Sequence, residues 1–185
     1  MESEIARCGW AKSDLERDYH DNVWGKPLHD DKELFKKLTL DGQQAGLSWS
    51  IILKKMGGLC AAYDNFDPYI LARYDADKID ALLHDDRVIK NRAKVNAAVH
   101  NAKCYFTLCE KFGSLDAFLW RYVDGKTIVN HWKELSEIPA TSPISDAVSR
   151  DLKKLGFKFV GSTIIYAYMQ AIGMVNDHLV DCPFR

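Results

Sequence analysis

The sequence predicts an all-α protein, and three observations support that prediction. Apolar residues recur at helical spacing through most of the 185-residue chain. Aspartate, serine and glycine stand where they would cap the ends of those stretches. No segment shows the alternation of apolar and polar residues, bounded by turns, that predicts a strand. Since the chain also has no internal repeat and no long linker, we expect one domain over residues 1–185, built as two helical lobes.

The helices of the N-terminal half are predicted from their caps. In HDDKELFKKLTL, Asp30 stands three residues before Glu33 in the manner of a capping box. Leu34, Phe35 and Leu38 then share one face of the helix. The stretches FDPYILARY and DADKIDALL follow the same logic, with an aspartate before the first turn. Loops are expected at GWAKSD and NVWGKPLHD.

The C-terminal half contains the longest predicted helix, NRAKVNAAVHNAKCYFTLCEKFG, which Gly113 ends. SLDAFLWRYVDG and SDAVSRDLKKLG are shorter stretches with caps at both ends. STIIYAYMQAIG is apolar nearly all round, which predicts a buried central helix. A long loop is expected at TIVNHWKELSEIPATSP.

Composition places the chain close to the average soluble globular protein, with 47% hydrophobic and 28% charged residues. No apolar run approaches the length of a membrane span, and no signal-peptide core is present, so a cytoplasmic location is expected. Five scattered cysteines do not suggest a disulfide framework. The formal net charge of −1 gives no support to a nucleic-acid partner, yet excludes none, because binding depends on local patches and backbone N–H groups.

The C-terminal stretch DHLVDC suggests half of a metal site. His178 and Cys182 are four residues apart, which places two side chains on one face of a helical turn. A tetrahedral zinc site needs two more nitrogen or sulfur ligands. Cys8 and His20 are the better candidates, because they lie in loop-like sequence rather than on an apolar helical stripe. On spacing alone, surface histidines and inert cysteines are the alternative.

Five motifs resemble those of the bacterial 3-methyladenine DNA glycosylase I family. They are CGW, YHDNVWG, LDGQQAGLSW, GFKFVG and NDHLVDC, which follow the family's order from about Cys8 to Cys182. The resemblance implies an all-helical glycosylase of the helix-hairpin-helix superfamily. It also implies the excision of 3-methyladenine from alkylated double-stranded DNA. Nothing in the sequence suggests an obligate dimer or another protein partner, so a monomer is expected.

The resemblance further implies a structural zinc ion that joins the two terminal segments. Its ligands fall on Cys8, His20, His178 and Cys182. A closed site with four protein ligands has no open coordination position, so the zinc is expected to stabilise the fold rather than to take part in the reaction.

A pocket for the extruded base is expected from the same motifs. An enzyme that cuts a glycosidic bond in duplex DNA must first swing the base into a cavity with flat walls and a few polar groups. The rings of Trp10, Tyr19, Trp24 and Trp49 would form the walls, and Asp41 would accept a hydrogen bond from the base. Asp41 and Tyr19 are the expected catalytic residues. Without the resemblance, Asp41 with the glycine after it would be interpreted as the end of a helix.

Two departures from the family pattern concern this pocket. Asp41 stands where the family usually has glutamate, which is longer by one methylene. The segment between Cys8 and Tyr19 is one residue shorter than in relatives, which leaves Glu16 where an aromatic residue is expected. Because of the substitution at Asp41, a non-catalytic, zinc-containing protein that binds damaged DNA is the alternative. A zinc-dependent hydrolase is a weaker rival, because the sequence has no His-Glu-x-x-His motif.

DNA contact is expected at a helix–turn–helix stretch, LKKLGFKFVGST. Gly156 and Gly161 allow a tight turn that aims backbone N–H groups at a phosphate, and Lys158 adds positive charge. Leu47 is a candidate wedge that fills the gap left by the extruded base. A second basic stretch, RVIKNRAKV, is as well explained by a solvated helix face. Its basic residues are Arg87, Lys90, Arg92 and Lys94.

The reaction is expected to be monofunctional, with water as the attacking group and no strand cleavage. No lysine lies within the pocket motifs to act as a Schiff-base nucleophile. Asp177 stands next to His178, near where the resemblance places the catalytic aspartate of other helix-hairpin-helix glycosylases. Its expected role is instead to support that zinc ligand by a hydrogen bond.

Overall fold

The structure is a computed structural model that describes residues 6–185. Within that range the chain forms nine α-helices and a single pair of short strands. The helices are α1 (Asp14–Asn22), α2 (Asp31–Gln44), α3 (Trp49–Ala62), α4 (Pro68–Leu71), α5 (Ala76–His84), α6 (Arg92–Phe112), α7 (Leu115–Trp120), α8 (Pro143–Lys154) and α9 (Ser162–Ala171). The strands are β1 (Ile128–Val129) and β2 (Val175–Asn176), and single 3-10 turns occupy Asp64–Phe66, Arg121–Val123 and Leu135–Glu137.

The all-α prediction is confirmed apart from this strand pair. The two strands run parallel, with Ile128 opposite Val175 and Val129 opposite Asn176. A ladder two residues long carries no periodicity, so no sequence pattern could have predicted it. None of the helices in the described part of the chain has the length and apolar character that crossing a membrane requires.

Helix α1 was not predicted, because its sequence was interpreted as a loop. Ser13 caps the helix by accepting a hydrogen bond from the Glu16 N–H, while the Glu16 carboxylate accepts one from the Ser13 N–H. This reciprocal capping box starts a helix in a stretch with few apolar residues. His20 therefore lies in the last turn of a helix rather than in a loop, and the expectation was wrong there.

Helix α2 begins at the predicted cap but runs further than a glycine near its end suggests. The Asp30 carboxylate accepts a hydrogen bond from the Glu33 N–H, at 3.0 Å. The helix continues through Asp41 and Gly42 to Gln44, so the reading of Asp41 as a helix end was wrong. A Cβ atom at position 42 would lie 3.4 Å from the Cβ of Phe159. The glycine thus lets the α8–α9 hairpin approach α2 closely.

Helix α9 is buried at the centre of the molecule, as its all-round apolar sequence predicted. It packs against α8 and α2, and its Ile165, Tyr168 and Met169 side chains are fully buried. The Tyr168 hydroxyl donates a hydrogen bond to the Leu34 carbonyl at 2.9 Å, so even its polar atom is satisfied within the core. The long helix α6 ends before Gly113, also as predicted.

The turn after α9 brings the two ends of the chain together. The Gly25 N–H donates to the Gln170 carbonyl, and the Leu28 N–H donates to the Ile172 carbonyl. Gly173 has a φ of +71°, and a Cβ atom there would lie 2.3 Å from the Lys26 carbonyl carbon. Only glycine fits this close approach, which holds the segment after α1 against the end of α9.

Candidate active site and metal cluster

A cavity of about 500 Å³ opens where α1, α2, α3 and α9 meet the segment that contains the Leu135–Glu137 turn. The residues predicted to form the base pocket all line it. They are Trp10, Tyr19, Trp24, Asp41 and Trp49. Four separate parts of the chain supply them, so the cavity exists only in the folded protein.

Aromatic rings form most of the cavity wall. The Tyr19 and Trp49 centroids are 5.1 Å apart, with the ring planes at 53°. Trp10 meets Trp24 edge to face, at 5.1 Å and 76°. The indole N–H of Trp49 is buried and has no hydrogen-bond partner among the described residues. Such an arrangement offers flat apolar faces for a planar ligand and leaves one unused donor.

Asp41 is the buried acid of the cavity. Its side chain comes from α2, the residue is 3% exposed, and its Oδ2 atom has no hydrogen-bond partner in the described part of the protein. Burial raises the pKa of Asp41 to about 6, and the positive charge of Lys37 opposes that shift. Because buried carboxylate oxygens are seldom left unpaired, the free oxygen indicates a place where a ligand donates a hydrogen bond.

Lys37 is a site residue that sequence reasoning missed. It precedes the LDGQQAGLSW motif, but it stands one helical turn before Asp41 and so shares its face of α2. Its ammonium lies 4.2 Å from the Tyr19 ring centroid and 4.4 Å from that of Trp49. A lysine therefore lies behind the cavity wall, although the pocket motifs contain none. The four-residue spacing was the available signal.

Glu16 takes the place of the aromatic residue expected at that point of the wall. It lines the cavity, but its carboxylate accepts hydrogen bonds from the backbone N–H groups of Lys12 and Ser13. These bonds hold the pKa of Glu16 below its usual value. The capping hydrogen bonds of α1 thereby hold the Glu16 carboxylate at the rim of the cavity.

The far wall of the cavity was also missed. Leu135 and Ile138 come from the predicted loop, and Gln170 comes from α9. The Gln170 side-chain amide donates to Asp177 Oδ2 at 2.7 Å, which fixes its orientation. No sequence pattern marks the two apolar residues, because their segment reaches the cavity only through contacts distant in sequence.

Asp177 does not support the predicted metal ligand beside it, and that expectation was wrong. The fully buried carboxylate accepts four hydrogen bonds, from donors that join the segment after β1 to α9. The donors are Asn130, Trp132, Tyr166 and Gln170. The ring of His178 pairs instead with Asn176, through Nδ1 and Oδ1 at 2.8 Å.

The predicted metal ligands lie at one place. The potential ligand atoms of Cys8, His20 and Cys182 are within 4.8 Å of one another, and all three residues are buried. The His178 ring lies beside them, 4.7 Å from the His20 ring between centroids. Its Nε2 atom is buried without a hydrogen-bond partner among the described residues. The terminal segments thus form a group that is able to bind a metal.

The spacing argument for this group was wrong in its geometry. His178 and Cys182 do not lie on a helix, since the chain after β2 is irregular and then turns at residues 180–181, with the Cys182 N–H donating to the Leu179 carbonyl. The turn brings Cys182 back towards His20, with Sγ 3.6 Å from Nε2. A four-residue spacing can therefore bring a potential ligand to the cluster without a helix.

Hydrogen bonds orient both histidines of the cluster. His20 Nδ1 is 2.7 Å from Asp21 Oδ1, and the Asp21 carboxylate accepts a hydrogen bond from Arg7 at 2.7 Å. A hydrogen on Nδ1, directed at an oxygen acceptor, leaves the Nε2 lone pair of each ring able to bind a metal. In His20 this atom also accepts a hydrogen bond from the Cys8 N–H at 3.4 Å. Burial raises the pKa of Cys8 to about 11, so a bound cation would be needed to hold it as a thiolate.

The predicted DNA-facing residues lie near the cavity and on the hairpin. Leu47 is half-buried in the α2–α3 loop and packs against the main core. Gly156 begins the turn between α8 and α9, with a φ of +94°, and Gly161 is the N-cap of α9. No side chain caps α9. Lys158 is exposed, and the Asn101 amide binds the backbone on both sides of this residue.

The second basic stretch is not a free cationic patch. Lys94 is buried, and its ammonium donates to the carbonyls of Gln43 and Ala45 at the end of α2. Nearby acids pair with the other three cations. These pairs are Arg87–Asp85, Lys90–Asp86 and Arg92–Asp80. The interpretation of Lys94 as a surface charge was wrong, and the solvated-face alternative describes the other three.

Taken together, a helical fold, a hairpin and a ring-lined cavity with a buried acid define a DNA glycosylase of the helix-hairpin-helix class. The methyladenine glycosylase family profile matches residues 10–185. The chain is 45% identical to DNA-3-methyladenine glycosylase of Haemophilus influenzae over 97% of both chains. It is 44% identical to DNA-3-methyladenine glycosylase 1 of Escherichia coli over 96% of both. The chain belongs to the methyladenine glycosylase family.

A solved structure of this family has the same fold. It concerns 3-methyladenine recognition by 3-methyladenine DNA glycosylase I from Staphylococcus aureus. The two chains superpose with a TM-score of 0.94 at 37% identity, covering 98% of this chain and 97% of the other. The predicted resemblance and the predicted fold are thereby confirmed.

Proposed function

We propose that this protein extrudes 3-methyladenine from alkylated DNA and hydrolyses the bond between the base and its sugar. The observation that carries the proposal is the unpaired, buried oxygen of Asp41 inside a cavity walled by aromatic rings. The named activity of the relatives supports it, because they match nearly the full chain.

The chemistry follows from the charge of the damaged base. Adenine methylated at N3 carries a positive charge while it is attached to the sugar, and that charge weakens the glycosidic bond. Aromatic faces attract a desolvated cation by about 2 kcal/mol, and an ionised Asp41 attracts it further. Unmodified adenine is neutral, so neither the aromatic faces nor the Asp41 charge attracts it in this way. Selection of the damaged base and stabilisation of the departing base therefore depend on the same interactions.

Each pocket residue has a proposed role. Asp41 accepts a hydrogen bond from the exocyclic amine of the base, Tyr19 contacts the base edge, and Trp49 stacks on the base face. Trp10 and Trp24 complete the wall. Water attacks the sugar, so the reaction is monofunctional and leaves the strand intact.

DNA engagement is proposed at the hairpin and the α2–α3 loop. The uncapped N-terminus of α9, with Gly156, Gly161 and Lys158 around it, would bind a backbone phosphate without base contacts. Such contacts carry no sequence information, which suits an enzyme that inspects every base pair. Leu47 would enter the base stack at the position vacated by the extruded base.

Leu47→Ala is expected to lower excision from duplex DNA about tenfold, equivalent to ~1.4 kcal/mol, because the vacated stack is no longer filled. Excision from single-stranded DNA, which has no such stack, should change little. The measurement is single-turnover release of base from both substrates. Ile70→Ala, which truncates an exposed apolar residue on α4, is the control. Equal losses on both substrates would remove Leu47 from the wedge role.

Zinc is the metal that we propose for the terminal cluster. Two sulfurs and two imidazole nitrogens are the donors that zinc prefers, and the unpaired Nε2 of His178 supports its place as the fourth ligand. Cys8, His20, His178 and Cys182 would hold the ion. A closed set of four ligands supplies structural cross-linking and no Lewis-acid chemistry at the cavity.

The decisive experiment incubates alkylated duplex DNA with the protein and looks for free base by chromatography. We expect 3-methyladenine in the supernatant and abasic sites in DNA whose strands stay intact until alkali is added. Heat-denatured protein is the control. Retention of alkylated DNA without any released base would favour the alternative, a non-catalytic damaged-DNA-binding protein. A monomeric state, a single domain and a cytoplasmic location stay predictions.

A further inference from the structure

Lys37 is a buried cation that the proposed mechanism does not use. It is 7% exposed, and its ammonium lies over the rings of Tyr19 and Trp49, outside the cavity lining. No hydrogen bond or ion pair to its ammonium is found among residues 6–185. A buried charge in this position costs several kcal/mol of solvation, so something must offset that cost.

Two features of the site offset the burial of this ammonium. The faces of two aromatic rings attract it at 4.2 and 4.4 Å. The Asp41 carboxylate, one turn further along α2, attracts it as well. Burial lowers the pKa of Lys37 to about 8, and Asp41 opposes that shift. Lysine and aspartate therefore act on each other within one desolvated region.

We propose that Lys37 is a positioning residue that keeps Asp41 ionised in a cavity too dry to do so by solvation. The inference rests on the proposed function, since it concerns the carboxylate that selects the cationic base. It assigns Lys37 no contact with the substrate. The ammonium stays behind the two rings, and the base enters in front of them.

Within residues 6–185, Lys37 is the cation whose charge acts on this carboxylate. Tyr19 on α1 and Tyr168 on α9 approach Asp41 with phenols that burial keeps neutral at physiological pH. Helix α3 contributes the uncharged Trp49. On α6, Lys94 is committed to backbone carbonyls. Glu16, across the cavity, is negative and opposes ionisation. Without Lys37, a carboxyl in these surroundings would take up a proton at a higher pH.

The experiment compares the pH dependence of single-turnover excision for the parent and for Lys37→Met. Methionine keeps the apolar length of the side chain and removes the charge. We expect the acid limb of the parent profile near pH 6, and that of the variant about one unit or more higher. At pH 6 the variant should therefore release base several-fold more slowly, and the deficit should shrink as the pH rises.

Lys36→Met is the matched control. Lys36 is the neighbouring lysine on α2, but its ammonium pairs with Glu33 at the surface, at 3.0 Å. The acid limb of the Lys36→Met pH profile should coincide with that of the parent. The inference is overturned if the acid limb of Lys37→Met lies at the same pH as that of the parent, and two such results are distinguishable. Slower release at every pH would show a packing role only, and faster release at every pH would show that the lysine merely repels the base.

A titration of the parent protein decides the question if Lys37→Met does not fold. The Asp41 carboxyl ¹³C signal, assigned by its loss in Asp41→Asn, should show a main inflection near pH 6 and a smaller one near pH 8 as Lys37 deprotonates. A single inflection would overturn the inference. This titration needs no turnover, so its result is distinguishable from a failure of the proposed function, in which the parent releases no base at any pH.

Discussion

Asp41→Asn is expected to lower the single-turnover release of 3-methyladenine by about 10²–10³-fold. Asparagine keeps the shape of the side chain and one oxygen acceptor. It lacks the negative charge that favours the alkylated base over neutral adenine. The loss should therefore appear in the rate of release from alkylated DNA, whereas the far-UV circular dichroism and the melting temperature should stay near those of the parent.

Asp41→Glu is the matched comparison, because it keeps the charge and restores the residue that the family usually has. We expect release within about tenfold of the parent, which corresponds to a cost of ~1.4 kcal/mol, in the lower part of the range for one added methylene in a packed site. Release by Asp41→Asn at the parent rate would remove Asp41 from the site and would leave family membership as the main support for the activity.

Removal of the proposed metal is expected to have the largest effect on stability. Dialysis against a chelator, or the change Cys182→Ser, should lower the melting temperature by about 10–20 °C. This range corresponds to a loss of roughly 5 kcal/mol in a chain of this size. The physical reason is that the cluster joins segments from both ends of the chain. Thermal unfolding with and without added zinc, together with a count of bound zinc per chain, provides the measurement.

Activity distinguishes a structural metal from a catalytic one. For a structural site, base release should fall in parallel with the folded fraction and return when zinc restores the fold. Cys60→Ser, which alters a half-buried cysteine outside the cluster, should change neither quantity. Loss of release in a protein that keeps its melting temperature would instead indicate that the metal takes part in the reaction.

Local signals predicted the fold better than they predicted the site. The apolar character of α9 and the Gly113 stop of α6 depend on residues near in sequence, and both predictions are confirmed. Helix α1 was missed because its start depends on hydrogen bonds of Ser13 and Glu16 rather than on apolar periodicity. A capping box is visible in a sequence, so this error was avoidable.

The composition of the site was predictable only in part. The motif residues around Asp41 do line one cavity, as expected. The position of Lys37 in the site was predictable from its four-residue spacing to Asp41. Leu135 was not, because only long-range packing carries its segment to the cavity. For Asp177, proximity in sequence suggested the wrong partner, since its oxygens face donors on α9 and after β1.

The joining of both chain ends has a consequence for how the molecule folds. Leu179 donates its N–H to the sulfur of Cys8 across 171 residues, which is among the longest separations that any contact here spans. Closing so large a loop costs conformational entropy before the ligands come together. Helix α9 must already be docked to bring them near one another. The cluster is thus expected to assemble late in refolding. The affinity for the ion is therefore expected to depend on how completely the intervening helices have already assembled.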